Sequence, residues 1–258
     1  MIALGVIVAA RILGRRLARE GVGGADEANS IALWAVPAGV IGSRLYHVAT
    51  DWERFSDNLV DIPKIWQGGL GIPGGIVGGT VVGIWQAKRL GINVHQLLWA
   101  AAPVLAVAQA VGRWGNWFNQ ELYGRPTTLP WGLRIDADKV LAGGFPPGTL
   151  FHPTFLYESL WNLGVAALVV WVGTRFIRWQ SHHPARLFAV YLAGYGVGRF
   201  WVEGLRIDPA KSGGGLRLNQ WTAIVLVVVG VGYLIAAHFE PRDVPAERDT
   251  SADSGTEL

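Results

Sequence analysis

The sequence has no cysteine and a single methionine, and it is poor in charge: Asp, Glu, Lys and Arg make up 16% of 258 residues. Without cysteine there is no disulfide, no thiolate metal site and no Cys nucleophile within the chain. A soluble domain of this length carries about 25% charged residues. The shortage of charge, with 51% hydrophobic residues and a mean hydropathy of +0.30, favours a membrane protein. Other chemistry is missing too. There is no HExxH for zinc, no pair of intramembrane Asp residues, no GxS stretch of rhomboid type and no DxxDG cluster for metal-dependent phosphotransfer.

What the chain does have is 13 Trp, suited to membrane interfaces, and 35 Gly, suited to close helix packing. Its net charge of +3 is unevenly spread. From Glu240 to the end there are six acids against two arginines, a balance of −4, so the rest carries +7. The polar stretch 239–258 reads as a disordered acidic tail, and 1–238 as one integral membrane domain. Residues 1–10 are apolar and Arg11, Arg15, Arg16 and Arg19 follow, the reverse of the order in a signal peptide.

Apolar segments near 1–18, 28–49, 68–87, 94–112, 153–175, 186–205 and 219–238 predict an all-α, polytopic protein of about seven transmembrane helices. Arg11/Arg15/Arg16/Arg19, Lys88/Arg89 and Arg175/Arg178 fall in alternate loops, which the positive-inside rule makes cytoplasmic. The N-terminus is then outside, the tail inside, and 113–152 forms a loop or arm region on the outer face. Arg44, Arg113, Arg125, Arg134, Arg199 and Arg206 gather near that outer boundary, where orientation rules ask for no cations. In the third segment, Gly71, Gly75, Gly79 and Gly83 recur every four residues and predict a small-residue packing face.

Three clusters carry chemistry. Residues 110–125, "AVGRWGNWFNQELYGR", follow a run from Leu90 to Gly112 that has no Asp, Glu, Lys or Arg. They place Arg113, Asn116, Asn119 and Glu121 at a membrane boundary, too dense a polar group for a helix that simply leaves the bilayer. In "GYGVGRFWVEGLRID", Tyr195, Arg199, Glu203 and Arg206 share one helical face. Two cations against one anion leave a positive charge for an anionic ligand. In "FHPTFLYESL", Pro153 suits a first helical turn, His152 sits at its mouth, and Glu158 lies a turn deeper in need of a partner. Together these form a metal-free cluster suited to an anionic lipid head group.

At this point the motifs are specific. "GRWGNWFNQELYGR" resembles the block G-R-x-G-N-(F/W)-x-N-x-E-x-x-G of the prolipoprotein diacylglyceryl transferases. "GSRLYHV" (42–48), "GGLGIPGG" (68–75), "HPTFLYE" (152–158) and "GYGVGRFWVEGLR" (194–206) resemble that family's other blocks in its order, over roughly residues 5–238. The resemblance implies a multi-pass enzyme of the bacterial cytoplasmic (inner) membrane. It would transfer the diacylglyceryl group of phosphatidylglycerol to the lipobox cysteine thiol of a preprolipoprotein, with no cofactor, metal or nucleic acid. It implies a phospholipid-binding role for Arg113, motif roles for Asn116, Glu121 and Gly124, and an essential block of Arg199, Glu203 and Arg206 beside Glu158. From the residues and the resemblance together we expect catalytic roles at Arg113, Arg199, Glu203 and His152, and substrate contacts at Arg113, Asn116, Glu121, Glu158, Tyr195 and Arg206, with Gly124 added by the resemblance alone.

The chain departs from the family pattern at Pro73, where many relatives carry a His. A proline neither takes nor donates a proton, so His152, His47, Glu203 or the substrate's own phosphate stand open as the base. The family pattern also has an outer segment before the first helix, which is absent from this sequence. Two further readings use the same residues. One is a transporter of anionic lipid or solute, which would want an inverted repeat or a cationic face across the membrane, and neither is evident. The other is an inactive lipid-binding homologue.

Overall fold

A computed structural model describes residues 1–56, 58–176, 184–210 and 212–239. The expected tail, apart from Phe239, and Arg178 lie outside the described residues. The long helices are α1 (Ile2–Arg19), α2 (Ala25–Thr50), α4 (Ile72–Arg89), α5 (Val94–Asn119), α7 (Thr154–Arg175), α8 (Arg186–Leu205) and α9 (Leu218–Phe239). Each overlaps one apolar segment of the sequence, but α5 runs seven residues past the expected 112, to Asn119, so Arg113, Asn116 and Asn119 stand on its last turns rather than in an outer loop. Short elements fill the connections: α3 (Glu53–Ser56), β1 (Leu133–Arg134), α6 (Ala137–Ala142), β2 (Leu150–Phe151), β3 (Ser212–Gly213) and β4 (Leu216–Arg217). Among the described residues, α5, α7 and α9 are long and apolar enough to cross a membrane by length and composition. Many large apolar side chains point outward, including Leu33, Ile41, Ile76, Val81, Leu160, Trp171, Val228 and Ile235. A water-soluble fold would bury most of these, whereas lipid is a good solvent for them.

Helix α5 organises the bundle. Its start is fixed by Asn93, whose Oδ1 accepts from His95 N (2.8 Å) while its own N–H donates to Gln96 Oε1 (3.2 Å). On one side, Leu97, Ala100 and Val104 join Leu13, Leu17, Ala28, Ile31 and Ala87 in a core shared with α1, α2 and α4. On the other side, Ala102 and Ala106 join Val165, Val169, Leu187 and Tyr191 of α7 and α8. Pro103 lies inside α5 and has no N–H for the carbonyl four residues earlier. Arg16 of α1 donates there instead, from Nη2 to Trp99 O (3.1 Å) and from Nε to Ala100 O (3.0 Å), with its guanidinium 3.9 Å over the Trp99 ring.

The glycines of α4 serve packing, with one shift from expectation. A Cβ at Gly74 would lie 2.1 Å from Gly42 O and one at Gly78 would lie 2.5 Å from Ala38 O, whereas at Gly83 the nearest atom, Ala35 Cβ, is 3.4 Å away. The tightest backbone-to-backbone approach of α2 and α4 therefore runs through Gly74 and Gly78. The expected stripe packs on α2 as well, at Gly71, where a Cβ would lie 2.3 Å from Tyr46 Cδ1, and at Gly75, where it would lie 2.3 Å from Ser43 Oγ, and it loosens toward Gly83. The helix begins at Ile72, four residues after the expected start, because Gly68 and Gly69 both hold positive φ (85° and 76°). Pro73 then occupies its first turn, as expected. Pro153 stands one place earlier than a first-turn position, as the residue that precedes α7.

Arg44, expected to await an anion, is instead consumed by backbone. Its Nε donates to Ile62 O (2.6 Å), Nη2 to Asp61 O (2.7 Å) and Nη1 to Gly68 O (2.7 Å) and Gly69 O (3.0 Å). It pins the 51–71 connection onto α2.

The arm spans 120–153. Left-handed Gln120 (φ 49°) closes α5, and left-handed Leu122 (φ 58°) turns its carbonyl to Thr154 Oγ1. β1 and β2 pair antiparallel, and Ile135, Val140 and Phe151 form a small core with Tyr123, Leu133, Phe145 and Ile207. The arm is stitched to the end of α8 by Gly124, which pairs with Arg206, and by Arg125 N, which donates to Leu205 O (2.9 Å).

Candidate functional site

The site lies where α5 and α8 end and where α7 and α9 begin, so the alternating course of the chain brings these four ends to one side of the bundle. Glycines let the helices close in. Gly198 leaves room for the Trp161 ring, which a Cβ would meet at 2.1 Å, and Gly196 leaves room for the α9 backbone at Ala223. Trp161 Nε1 donates to Gly194 O (2.8 Å), locking α7 to α8. Ser159 Oγ donates to Ala110 O (3.0 Å) and accepts from Trp114 Nε1 (3.3 Å), locking α7 to α5. These contacts set the depth at which Glu158 faces its neighbours.

Glu158 stands between two guanidiniums. Its Oε2 pairs with Arg113 Nε of α5, and its Oε1 accepts from Arg199 Nη1 of α8 (2.9 Å). The other amino group of Arg199, Nη2, reaches Glu203 Oε2 at 2.8 Å, the i, i+4 contact that the sequence spacing predicts. Glu203 is fully buried, at 0% exposure. Its Oε2 is shared with Arg206 Nη1 (3.3 Å), while its Oε1 accepts from Asn219 Nδ2 (3.2 Å) and lies 2.8 Å from Arg217 Nε in an ion pair. Arg206 forks onto Asp208, Nε to Oδ1 at 2.7 Å and Nη2 to Oδ2 at 3.0 Å. The expected count of two cations against one anion on this face is corrected: Glu203 meets three guanidiniums, and both Arg199 and Arg206 also meet a second carboxylate.

The result is an alternating chain, Arg113–Glu158–Arg199–Glu203–Arg206/Arg217–Asp208. Isolated charges are costly at such depth, so each carboxylate touches at least two cations. Four guanidiniums face three carboxylates, which leaves one positive charge in excess. That excess surfaces at Arg113. Its side chain is 21% exposed against 10% for Arg199, and among the described residues only its Nε meets the protein in an ion pair. Its planar terminal edge can therefore take an oxyanion in two places.

The other expected residues divide into neighbours. Asn116 Nδ2 and Asn119 Nδ2 both donate to Glu121 Oε1 (3.1 and 3.0 Å), an exposed carboxylate beyond the buried chain of charges. Gly124 is a seam: its N–H donates to His152 O (3.0 Å), and a Cβ there would lie 2.8 Å from His152 Cβ and 3.2 Å from Leu205 O. His152 is half-buried, with Nδ1 3.1 Å from the Tyr157 hydroxyl, which also accepts from Trp131 Nε1 (2.9 Å). Tyr195 lies one turn below Arg199 and stacks on Tyr191 at 6.0 Å. Sequence reasoning missed Arg217, Asp208, Asn219 and Ser159. Asp208 stands two places after Arg206, and Arg217 directly precedes an apolar helix, a position that reads as ordinary snorkelling.

Apolar helices that carry a buried arginine–carboxylate network near one end define an integral membrane protein with a polar site. The family model described as prolipoprotein diacylglyceryl transferase matches residues 1–236. The phosphatidylglycerol–prolipoprotein diacylglyceryl transferase of Streptomyces griseus is 48% identical over 98% of this chain and 79% of its own length. Transferase 1 of Streptomyces coelicolor is 47% identical over 99% and 74%, and the Bifidobacterium adolescentis transferase is 44% identical over 89% and 71%. The chain belongs to the prolipoprotein diacylglyceryl transferase family.

Proposed function

We propose that this chain transfers the diacylglyceryl group of phosphatidylglycerol to the lipobox cysteine thiol of a prolipoprotein, at the outer face of a bacterial cytoplasmic membrane. The observation that carries the reading is the terminal edge of Arg113, which among the described residues has no ion-pair partner, at the more exposed end of a buried charge network. In the proposed arrangement the chain crosses seven times, with its N-terminus outside and its acidic tail inside. Residues 1–238 act as one transferase domain.

The chemistry balances as a substitution. The thiolate sulfur attacks the glyceryl carbon that bears the phosphate, a C–S bond forms, and the C–O bond breaks. Glycerol phosphate leaves with the electron pair, and the thiol proton passes to a base. Charge grows on the leaving phosphate oxygen, so a guanidinium aimed at that oxygen stabilises the transition state more than the ground state. Arg113 takes that role, held through Nε by Glu158. Cations nearby also favour the thiolate. Arg199, Glu203 and Arg206 keep the network in register, and Asn116, Glu121 and Tyr195 flank the lipid head group. His152, on its Tyr157 contact, is our candidate proton carrier.

The test is purified protein in phosphatidylglycerol vesicles with a lipobox peptide, followed by mass spectrometry. A peptide adduct of one diacylglyceryl unit supports the reading. Lipid movement between leaflets without an adduct replaces it with a transporter.

A further inference from the structure

The loop between α8 and α9 carries charges that the transfer chemistry leaves unexplained. The guanidinium of Arg217 is engaged on every side: Nη1 donates to Arg206 O (2.9 Å), Nη2 donates to Asp208 O (2.8 Å) and Oδ2 (3.0 Å), and Nε sits in an ion pair 2.8 Å from Glu203 Oε1, without hydrogen-bond alignment. A residue so engaged is not placed to bind substrate. Its contact with the buried core of the network is Glu203 Oε1; the others lie on Asp208 and the Arg206 carbonyl at the network's outer end.

A carboxylate rotates about its last side-chain bond, so contacts on both oxygens of Glu203 fix an orientation that contacts on one would not: Asn219 Nδ2 donates to Oε1 beside the Arg217 ion pair, and Arg206 Nη1 donates to Oε2 beside the Arg199 ion pair. With Oε1 held by Arg217 and Asn219, Oε2 is the oxygen presented to Arg199 and Arg206. Arg199 in turn meets Glu158, which meets Arg113. We propose that Arg217 is a positioning residue for transfer: it fixes Glu203 and thereby the plane of Arg199, without touching the substrate. The inference rests on the function proposed above. The local fold explains how it is held. Arg217 pairs with Ser212 in the β3–β4 hairpin, and Trp221 Nε1 ties that hairpin down by donating to Gly213 O (2.9 Å).

The competing role is a loop staple, in which only the carbonyl contacts of Arg217 matter. Four variants in phosphatidylglycerol vesicles separate the two: Arg217→Gln, Arg217→Lys, Glu203→Gln and the double variant Arg217→Gln/Glu203→Gln. Trp221→Phe serves as a loosened-hairpin control, and thermal unfolding is followed for all. Positioning through Glu203 lowers kcat of Arg217→Gln by about tenfold or more, with KM for lipid within about twofold, and makes the double variant no slower than Glu203→Gln alone. Arg217→Lys keeps a cation beside Glu203 while losing the carbonyl clamp, so it retains most of kcat, and it decides the matter should Arg217→Gln fail to accumulate. Trp221→Phe stays near wild type in kcat. The proposal is overturned if the Lys variant is as slow as the Gln variant, if the two losses multiply in the double variant, or if activity merely follows the folded fraction. A wild-type protein that forms no adduct removes the transfer reading itself. An active wild type with an unaffected Arg217→Gln removes only this inference.

Discussion

Arg199 Nη1 lies 2.9 Å from Glu158 Oε1, although the two residues are 41 positions apart and sit on different helices. Among the described residues, Glu158 is the carboxylate that joins α5, α7 and α8, since its other oxygen meets Arg113. Replacing Glu158 with Gln keeps the shape and removes a buried charge, leaving Arg113 without its carboxylate and Arg199 with Glu203 alone. Breaking a buried pair in this way costs about 3–5 kcal/mol. We expect a clear drop in unfolding temperature in detergent together with loss of transfer. A Glu158→Gln protein as stable as wild type would show that the pair is solvated and the network argument misplaced.

Arg113 does two jobs with one planar group, Nε to Glu158 and its terminal edge to the lipid phosphate. Lysine offers a single point charge and cannot do both. Arg113→Lys is therefore expected to be nearly as damaging as Arg113→Ala, each about a hundredfold or more down in transfer rate at saturating lipid. Near-normal rate in the Lys variant would remove the two-point argument.

The sequence made part of this site legible and hid the rest for identifiable reasons. The Arg199–Glu203 contact follows from helical spacing, and the need of Glu158 for a partner follows from its apolar surroundings. Which arginine would answer was not readable, because helix depth is set by Gly198, Trp161 and Ser159 packing. Arg44 misled for a related reason. A guanidinium that caps four loop carbonyls looks, in sequence, like one that awaits an anion, since backbone acceptors leave no mark in residue identity. The seven helices were visible as apolar runs. Yet α1, α2, α4 and α8 carry glycines and arginines that serve packing and pairing, so hydropathy alone selects only α5, α7 and α9.

Packing of α2 on α4 depends on absent side chains. Gly78→Ala would place a methyl group 2.5 Å from Ala38 O, backbone that cannot swing aside, whereas Gly83→Ala meets only a methyl at 3.4 Å. Overpacking of this kind costs about 1–3 kcal/mol. Gly78→Ala should lower the unfolding temperature and Gly83→Ala should leave it nearly unchanged. Equal effects would mean that the two helices slide to absorb the methyl.

Arg199→Ala tests whether the centre of the network is structural or functional. Its guanidinium bridges Glu158 and Glu203, so its loss removes a cation from both. Neither carboxylate is then left alone: Glu158 keeps Arg113, and Glu203 keeps Arg206 and Arg217. The fold should therefore survive with a moderate loss of stability, and the protein should still insert. Geometry at the site should suffer more, because Arg199 is the side chain that ties Glu158 to Glu203, while the Trp161–Gly194 contact still holds α7 on α8. With the Arg113–Glu158 unit freed from α8, the terminal edge of Arg113 no longer points along a fixed line, and contacts made only in the transition state are the first to go. We expect transfer to fall by about a hundredfold or more while lipid affinity changes little. The measurement is turnover and lipid binding of the purified variant, with membrane accumulation as the control. Substantial transfer by Arg199→Ala, or failure of the variant to accumulate, would assign Arg199 to holding the helices together and leave the chemistry to Arg113 alone.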